Sequence, residues 1–199
     1  MVFRPPPRIG LLGGTFDPPH VGHLIVAEVA RVKLGLQQVQ FVVAGQPWMK
    51  GECSPTQHRI RMVELAIEDN DAFVVNRSEV DRGGNTYTVD TLLELSAQMP
   101  GADFMFLVGA DAAMKMPKWV EVEKALELAT FVALTRPGHQ LELHGPVLGR
   151  LRHLQVPPID LSSTDIRRRF REGQAVRYQI PDAVGEYVRQ QGLYQASGA

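Results

Sequence analysis

The sequence has little of what several classes of protein require. Cys53 is the single cysteine among 199 residues, which excludes an internal disulfide framework and a metal site built from several cysteines. The formal net charge is −1, so the cationic excess of a nucleic-acid groove or a membrane-binding patch is missing. The longest apolar run, 104–110, is far shorter than the roughly 18 residues of a membrane-spanning helix. We therefore expect no nucleic-acid partner and no membrane partner.

The N-terminal segment also lacks the pattern of a secretory signal. Three prolines precede a short apolar run that ends at Asp17, which is unlike the uninterrupted apolar region of a signal peptide. A single cysteine is compatible with a reducing compartment. The expected location of the protein is the cytoplasm.

Familiar catalytic and nucleotide-binding patterns are missing as well. The chain contains neither a G-x-x-x-x-G-K-[ST] phosphate loop nor an H-E-x-x-H zinc motif, and its first glycine-rich loop lacks dinucleotide G-x-G-x-x-G spacing. No Ser-His-Asp, Cys-His or paired-carboxylate arrangement stands out. The sequence therefore predicts no metal held by protein ligands, and it gives no sign of a covalent enzyme intermediate.

What the sequence does contain is a regular alternation of apolar strands and helices. Strands are predicted over residues 8–13, 39–44, 73–75, 103–109, 130–135 and 153–156. Helices are predicted over residues 21–34, 56–69, 88–99, 111–128 with a break at Pro117, 163–172 and 181–191. This alternation is typical of an α/β, Rossmann-like fold: a doubly wound, mostly parallel sheet with helices on both faces. At about 150 residues per domain, the length predicts a single domain over residues 1–199.

The loop after the first strand has the features of an anion site. In doubly wound sheets, ligands bind beyond the carboxyl ends of the strands. The loop GGTFDPPHVGH, residues 13–23, follows the first strand and opens the first helix. His20 and His23 face the same way at the helix N-terminus, where free N–H groups and the helix dipole favour phosphate. Two such histidines could also be a capped helix start or half of a metal site; the glycines and the strand–loop–helix context favour phosphate.

A second motif, LSSTDIRRR at residues 161–169, predicts another anion site. Ser163 and Thr164 are typical of a helix N-terminus, and Arg167 lies one turn further, on a face that it can share with them. Hydroxyls, backbone N–H groups and a guanidinium would then surround an anion. The alternative is an ordinary capped helix with a basic surface. Arg168 and Arg169 are expected to be solvated.

Taken together, GGTFDPPHVGH and SSTDIR resemble the nucleotidyltransferase superfamily, which is marked by an (H/T)xGH loop and an (I/L)SSTxxR helix. More specifically, the chain resembles the bacterial nicotinate-nucleotide adenylyltransferases. Further segments match that family in its order: GQPWMK at 45–50, GNTYTVDT at 84–91, VGAD at 108–111, KW at 118–119, RPG at 136–138, and the ending IPD at 180–182 with GLY at 192–194. The resemblance spans about residues 8–194, so it implies one nucleotidyltransferase domain.

The resemblance implies adenylyl transfer from ATP to nicotinate mononucleotide, with deamido-NAD and pyrophosphate as products. Such a direct displacement requires the positioning of two anionic groups and the neutralisation of developing charge. The residues implied to bind ATP are Gly14, Thr15, Phe16, His20, His23, Ser163, Thr164 and Arg167. Because a phosphate favours protonated imidazole, we expect His20 or His23 to donate a charge-assisted hydrogen bond. Mg²⁺ is expected to be bound through ATP phosphates and water.

The resemblance also implies an acceptor pocket. The implied pocket residues are Thr86, Tyr87, Asp111 and Trp119. Trp119 is implied to stack on the pyridine ring, and backbone amides to meet the carboxylate; without the resemblance, Trp119 would be read as a core residue or helix anchor. Lys50 joins the pocket, and the catalytic set with His20, His23 and Arg167, because its place in the loop after the second strand favours contact with a phosphate; the alternative is a solvated loop lysine. Met49 departs from the family, in which a histidine is common at this position.

Three other functions stay open at this point. A sister transferase would use nicotinamide mononucleotide or phosphopantetheine as the acceptor. A non-catalytic module would only sense nucleotides, although both phosphate motifs are intact here. A fragment of a class I aminoacyl-tRNA synthetase is disfavoured, because a KMSKS-like lysine loop, an anticodon domain and a basic surface are missing. The sequence does not decide whether the chain forms a homo-oligomer.

Overall fold

The computed structural model describes residues 5–46, 53–135 and 142–195. Its six parallel strands are β1 (Arg8–Gly14), β2 (Gln38–Val43), β3 (Phe73–Asn76), β4 (Asp103–Gly109), β5 (Thr130–Thr135) and β6 (Arg152–Gln155). They form one sheet in the order β3-β2-β1-β4-β5-β6. This is the strand order of a doubly wound fold: strands β1 to β3 extend toward one edge of the sheet, and strands β4 to β6 extend toward the other. The predicted strands are confirmed, with ends that differ by one residue or less.

The helices are α1 (Val21–Leu34), α2 (Thr56–Ile67), α3 (Ser78–Arg82), α4 (Thr88–Gln98), α5 (Ala110–Lys115), α6 (Val122–Leu128), α7 (Ser163–Arg171) and α8 (Asp182–Gln190), with 3-10 turns at Met116–Lys118 and Gly145–Val147. The break predicted at Pro117 is confirmed, because a proline without an N–H group interrupts the helical hydrogen bonds. Helix α3 was not predicted from the sequence. None of its five residues is fully buried, so the segment does not show the helical spacing of apolar residues.

An apolar core covers each face of the sheet. Successive strand residues point to opposite faces, so Leu107 belongs to one core and Phe106 to the other. Buried residues of α1, α2, α7 and α8 pack on the first face, and those of α4, α5 and α6 pack on the second. This arrangement confirms helices on both faces and leaves the carboxyl edge of the sheet to its loops. In the described part of the chain, none of the helices is long and apolar enough to cross a membrane.

Candidate active site

The loop between β1 and α1 is tightly packed at the carboxyl edge of the sheet. Phe16 adopts a left-handed backbone conformation, with φ of 52°, and its side chain is buried. The Phe16 ring lies edge-on to the His23 ring at 5.1 Å between centroids and packs against Phe41 at 5.6 Å. Gly14 accepts a hydrogen bond from the Ala44 N–H at 2.9 Å, which joins this loop to the end of β2. The ring of Phe16 therefore supports the loop from inside.

His20 and His23 lie together at the start of α1. Their rings stack at 3.7 Å between centroids, and the His20 backbone N–H donates to His23 Nδ1 at 3.2 Å. A Cβ on Gly22 would lie 2.9 Å from His20 Nδ1, so the glycine between the histidines makes room for the ring. His20 is only 7% exposed, and its buried Nδ1 has no hydrogen-bond partner among the described residues. Buried polar atoms without a partner are uncommon in folded proteins.

The charge of His20 depends on what binds beside it. Burial lowers the pKa of His20 from 6.5 to about 4, because a charged imidazole loses its hydration there. At neutral pH the imidazole is therefore uncharged when no anion is near. An anion within reach would raise this pKa again. The protonated histidine predicted from the sequence thus requires the charge of the substrate.

The structure brings the two predicted phosphate motifs together. Ser163 Oγ donates to the Pro18 carbonyl at 2.8 Å, and Arg167 Nη1 donates to the Asp17 carbonyl at 2.7 Å. Helix α7 is thereby fixed directly on the β1–α1 loop. The N-cap is Ser162, which accepts from the next turn, so the Ser163 side chain remains available for the loop.

Arg167 differs from the two arginines that follow it. Arg168 and Arg169 form ion pairs with Asp165 on the outer side of α7. Arg167 instead contacts a backbone carbonyl and, at 3.4 Å, the hydroxyl of the exposed Thr164. Neither acceptor carries a net charge, so the positive charge of Arg167 is positioned without being neutralised by them. Such a group can bind an anion at the start of α1.

Sequence reasoning missed Asp17 and Tyr194. The buried Asp17 carboxylate accepts from the Ser54 N–H at 3.0 Å and from the Tyr194 hydroxyl at 2.5 Å. Burial raises the pKa of Tyr194, and the negative charge of Asp17 raises it further. The phenol therefore stays protonated and acts as a hydrogen-bond donor. The C-terminal segment therefore supports the β1–α1 loop. No local pattern indicated this, because the two residues are far apart in the sequence.

Arg59 is a second supporting residue that was missed. Arg59 is 1% exposed, and its guanidinium donates to five oxygen atoms: the carbonyls of Thr15, Ala44, Gly45 and Ser54, and the hydroxyl of Thr56. It thus joins the β1–α1 loop, the end of β2 and the start of α2. One signal was present in the sequence: Arg59 shares a helical stripe with the buried apolar residues Val63 and Ala66.

Four of the predicted acceptor residues are described, and they form two groups along the chain. Thr86 and Tyr87 lie just before α4. The preceding residue, Asn85, forms an isolated parallel β-bridge with Gln46, which follows β2. Asp111 and Trp119 follow β4, at α5 and just after the first 3-10 turn. Lys50, like its neighbours Trp48 and Met49, lies outside the described residues.

Trp119 is held less firmly than the phosphate motifs. Its partly buried ring meets Phe106 and Phe131 edge-on, each at 6.4 Å between centroids. Asp111 is exposed in the first turn of α5. The tryptophan is therefore anchored on the core, while part of its surface remains open to a ligand.

Comparison with known proteins identifies the family. Residues 11–169 match the family described as cytidylyltransferase-like. A protein of Leifsonia xyli subsp. xyli named "Probable nicotinate-nucleotide adenylyltransferase" is 44% identical over 190 residues, covering 96% of this chain and 95% of that protein. A relative with the same name from Saccharopolyspora erythraea is 43% identical and covers 94% and 90% of the two chains.

Solved structures share the fold. Two structures of the Plasmodium falciparum nicotinic acid mononucleotide adenylyltransferase, one complexed with APC and one with NaAD, give TM-scores of 0.74 and 0.76. Each covers 94% of this chain and 97% of its own, at 18% and 19% identity. The structural likeness supports the doubly wound architecture, and the sequence identities supply the relationship. The chain belongs to the cytidylyltransferase-like family and, within it, to the nicotinate-nucleotide adenylyltransferases.

Proposed function

We propose that the protein transfers the adenylyl group of ATP to nicotinate mononucleotide. An oxygen of the acceptor's 5′-phosphate attacks the α-phosphorus of ATP, the bond from that phosphorus to the bridging oxygen breaks, and deamido-NAD and pyrophosphate result. The observation that carries this proposal is the docking of Ser163 and Arg167 on the Asp17–Pro18 carbonyls, beside the histidines of α1. Two phosphate-binding motifs from distant parts of the chain then form one site.

The ATP side would work mainly by prearranged charge. Arg167 supplies a permanent positive charge beside the start of α1, where the helix dipole also favours an anion. His20 would take up a proton as the phosphates arrive, because their charge offsets the cost of burying an imidazolium. His23 stacks on His20 and would bind an adjacent phosphate. Fixed donors of this kind stabilise charge that develops on the phosphates in the transition state.

The remaining ATP contacts would come from backbone and hydroxyl groups. Gly14, Thr15 and Phe16 would line the nucleotide through their backbone, since the Phe16 ring is buried. Thr164 is exposed next to Arg167 and would complete the phosphate clamp.

We propose that Mg²⁺ enters as part of the substrate, MgATP. Among the described residues there is no group of three or more His, Cys, Asp and Glu side chains that could hold a metal ion. The buried Asp17 carboxylate is occupied by Ser54 and Tyr194. ATP phosphates and water molecules supply the octahedral oxygen ligands that Mg²⁺ prefers.

The acceptor pocket would combine a stacking ring with backbone donors. Trp119 offers part of an aromatic face to the pyridine ring, and the backbone around Thr86 and Tyr87 would meet its carboxylate. Asp111 would bind a polar group of the ribose, and Lys50 a phosphate. Residues 1–199 would then act as one nucleotidyltransferase domain.

The first test is pyrophosphate release from MgATP with nicotinate mononucleotide, nicotinamide mononucleotide or phosphopantetheine as acceptor. We expect a strong preference for nicotinate mononucleotide. In the same assay, His20→Ala and His23→Ala should each lower kcat by about 100-fold or more while the circular dichroism spectrum is retained. A preference for another acceptor would refute the acceptor assignment. ATP binding without turnover would favour a sensing module, and retained turnover in both histidine variants would refute their role.

A further inference from the structure

Glu79 lies where the predicted acceptor loop meets the end of β2. It belongs to the short helix α3, which has no sequence signal, and no motif of the chain includes it. Its side chain is partly buried and accepts a hydrogen bond from Thr91 Oγ1 at 3.1 Å. The carboxylate also interacts with the Thr86 side chain and with the backbone N–H of Gly45. Three donors from three segments thus converge on one carboxylate.

Two of these donors belong to loops at the carboxyl edge of the sheet. Gly45 follows β2, and Thr86 precedes α4 within the predicted acceptor loop. The two loops approach closely: a Cβ on Gly45 would lie 2.5 Å from the Glu79 carbonyl and 3.2 Å from Thr86 Cγ2. A residue larger than glycine would force the loops apart. The position of Thr86 is therefore set by its contacts with Gly45 and Glu79.

The same glycine connects this contact to the ATP side. Arg59 Nη2 donates to the Gly45 carbonyl at 3.1 Å, and Arg59 Nη1 donates to the Thr15 carbonyl at 3.1 Å. A continuous set of polar contacts thus runs from Thr15 through Arg59, Gly45 and Glu79 to Thr86.

We propose that Glu79 is a positioning residue for the acceptor substrate, holding Thr86 and the loop around it against the end of β2. The inference rests on the proposed function and adds to it a residue that touches no substrate. A carboxylate suits this role because both oxygens only accept hydrogen bonds, whereas a glutamine amide would turn one of them into a donor facing other donors. Burial raises the pKa of Glu79, and the hydrogen bond from Thr91 opposes this.

The test compares Glu79→Gln with Glu94→Gln. Glu94 is a matched control on α4: it pairs with Arg82 at 2.9 Å, and Arg82 also interacts with Glu79. Glu79→Gln should raise the KM for nicotinate mononucleotide about 10-fold, through loss of a charge-assisted hydrogen bond, with the KM for ATP within about two-fold of the wild type. Glu94→Gln should leave both KM values within about two-fold, because it removes only a partly exposed ion pair.

A merely structural role would give a different pattern. Lost stability would lower the active fraction, and therefore kcat, with both KM values unchanged; that result, or equal effects in the two variants, overturns the proposal. If Glu79→Gln does not fold, Glu79→Asp keeps the charge, and it should raise the KM for the acceptor by about three-fold or more. An unchanged KM in a folded Glu79→Asp also overturns the proposal. Absence of wild-type turnover with every acceptor would instead refute the proposed function.

Discussion

The ATP side and the acceptor side of the proposed site are built in different ways. The β1–α1 loop is fixed from outside by four side chains from three other segments: Ser163, Arg167, Tyr194 and Arg59 all bind its backbone or its buried aspartate. On the acceptor side, Asp111 is exposed and Trp119 is held only through ring edges. The first region is fixed by directional hydrogen bonds, whereas Trp119 in the second is held by ring packing.

This difference follows the chemistry that each side must perform. Charge that develops on a transferring phosphoryl group is stabilised only by donors that are already in place, since their reorganisation would cost free energy. Recognition of a flat ring needs an apolar face, and small shifts of that face alter dispersion contacts little. We therefore expect substitutions on the ATP side to reduce kcat, and those on the acceptor side to raise one KM.

The largest effect is expected from Arg167→Gln. Loss of this positioned charge should lower kcat/KM by about 100- to 1000-fold, the range found when a single donor to transition-state charge is removed. Arg168→Gln is the matched control, because Arg168 belongs to the same helix but pairs with Asp165 and Glu172 on its exposed side. Its kcat/KM should stay within about two-fold of the wild type.

Steady-state kinetics with thermal unfolding of both variants decide this prediction. Equal losses of activity would mean that α7 acts through its overall charge rather than through the one guanidinium that contacts the loop. If Arg167→Gln alone lowers the Tm and leaves kcat/KM unchanged, Arg167 only stabilises the contact between α7 and the β1–α1 loop.

The next effect concerns stability at acidic pH. The pKa of His20 is 6.5 in the unfolded chain and about 4 in the folded one, so below pH 6.5 the unfolded state binds the proton more strongly. The contribution of the neutral imidazole to the free energy of unfolding is therefore fully present above pH 6.5 and is lost as the pH falls to 4. At 1.36 kcal/mol per pH unit, the total loss is about 3 kcal/mol. Between pH 7 and pH 5 the loss should be about 2 kcal/mol.

Urea unfolding of the wild type and of His20→Gln at pH 7 and pH 5 measures this loss. All other titrating groups are shared, so the wild type should lose about 2 kcal/mol more than the variant on acidification. The raised pKa of Glu79 has the opposite sign: its contribution is present below pH 4.5 and is lost as the pH rises through the folded pKa. Protonation of Glu79 should therefore offset part of the loss from His20 in the free energy of unfolding. Equal pH dependence in wild type and His20→Gln would contradict the lowered pKa.

The contrast between the two sides also explains what could be predicted from the sequence. The strands were found because a parallel sheet buries both faces, which produces continuous apolar runs such as that of β4. The phosphate motifs were found because each lies within about ten residues and has a local physical reason: a glycine loop, a helix start and an arginine one turn later. Local patterns of this kind are readable without a structure.

Residues that hold the site through long-range contacts could not be predicted from the sequence in this way. Tyr194 reaches Asp17 only after the chain has folded, and Glu79 lies on a helix too short and too exposed to show a period. Arg59 could have been noticed as a charged residue on the apolar stripe of α2. Its role could not be predicted, because its five hydrogen-bond acceptors come from three segments. Residues that hold the candidate site in place depend on tertiary contacts, whereas the residues proposed to touch the substrate lie in local motifs.

The smallest effect is expected from Trp119, and it tests the acceptor side most directly. Trp119→Ala should raise the KM for nicotinate mononucleotide by about 10-fold, the value of one aromatic stacking contact, while the KM for ATP changes by less than about two-fold. Trp119→Phe keeps an aromatic face on Phe106 and Phe131 and should recover most of the affinity. If both variants lower kcat and leave the KM for the acceptor unchanged, the ring serves only the core. Its edge-on packing would then be its whole function, and the acceptor would have to be recognised from the Thr86 side of the site.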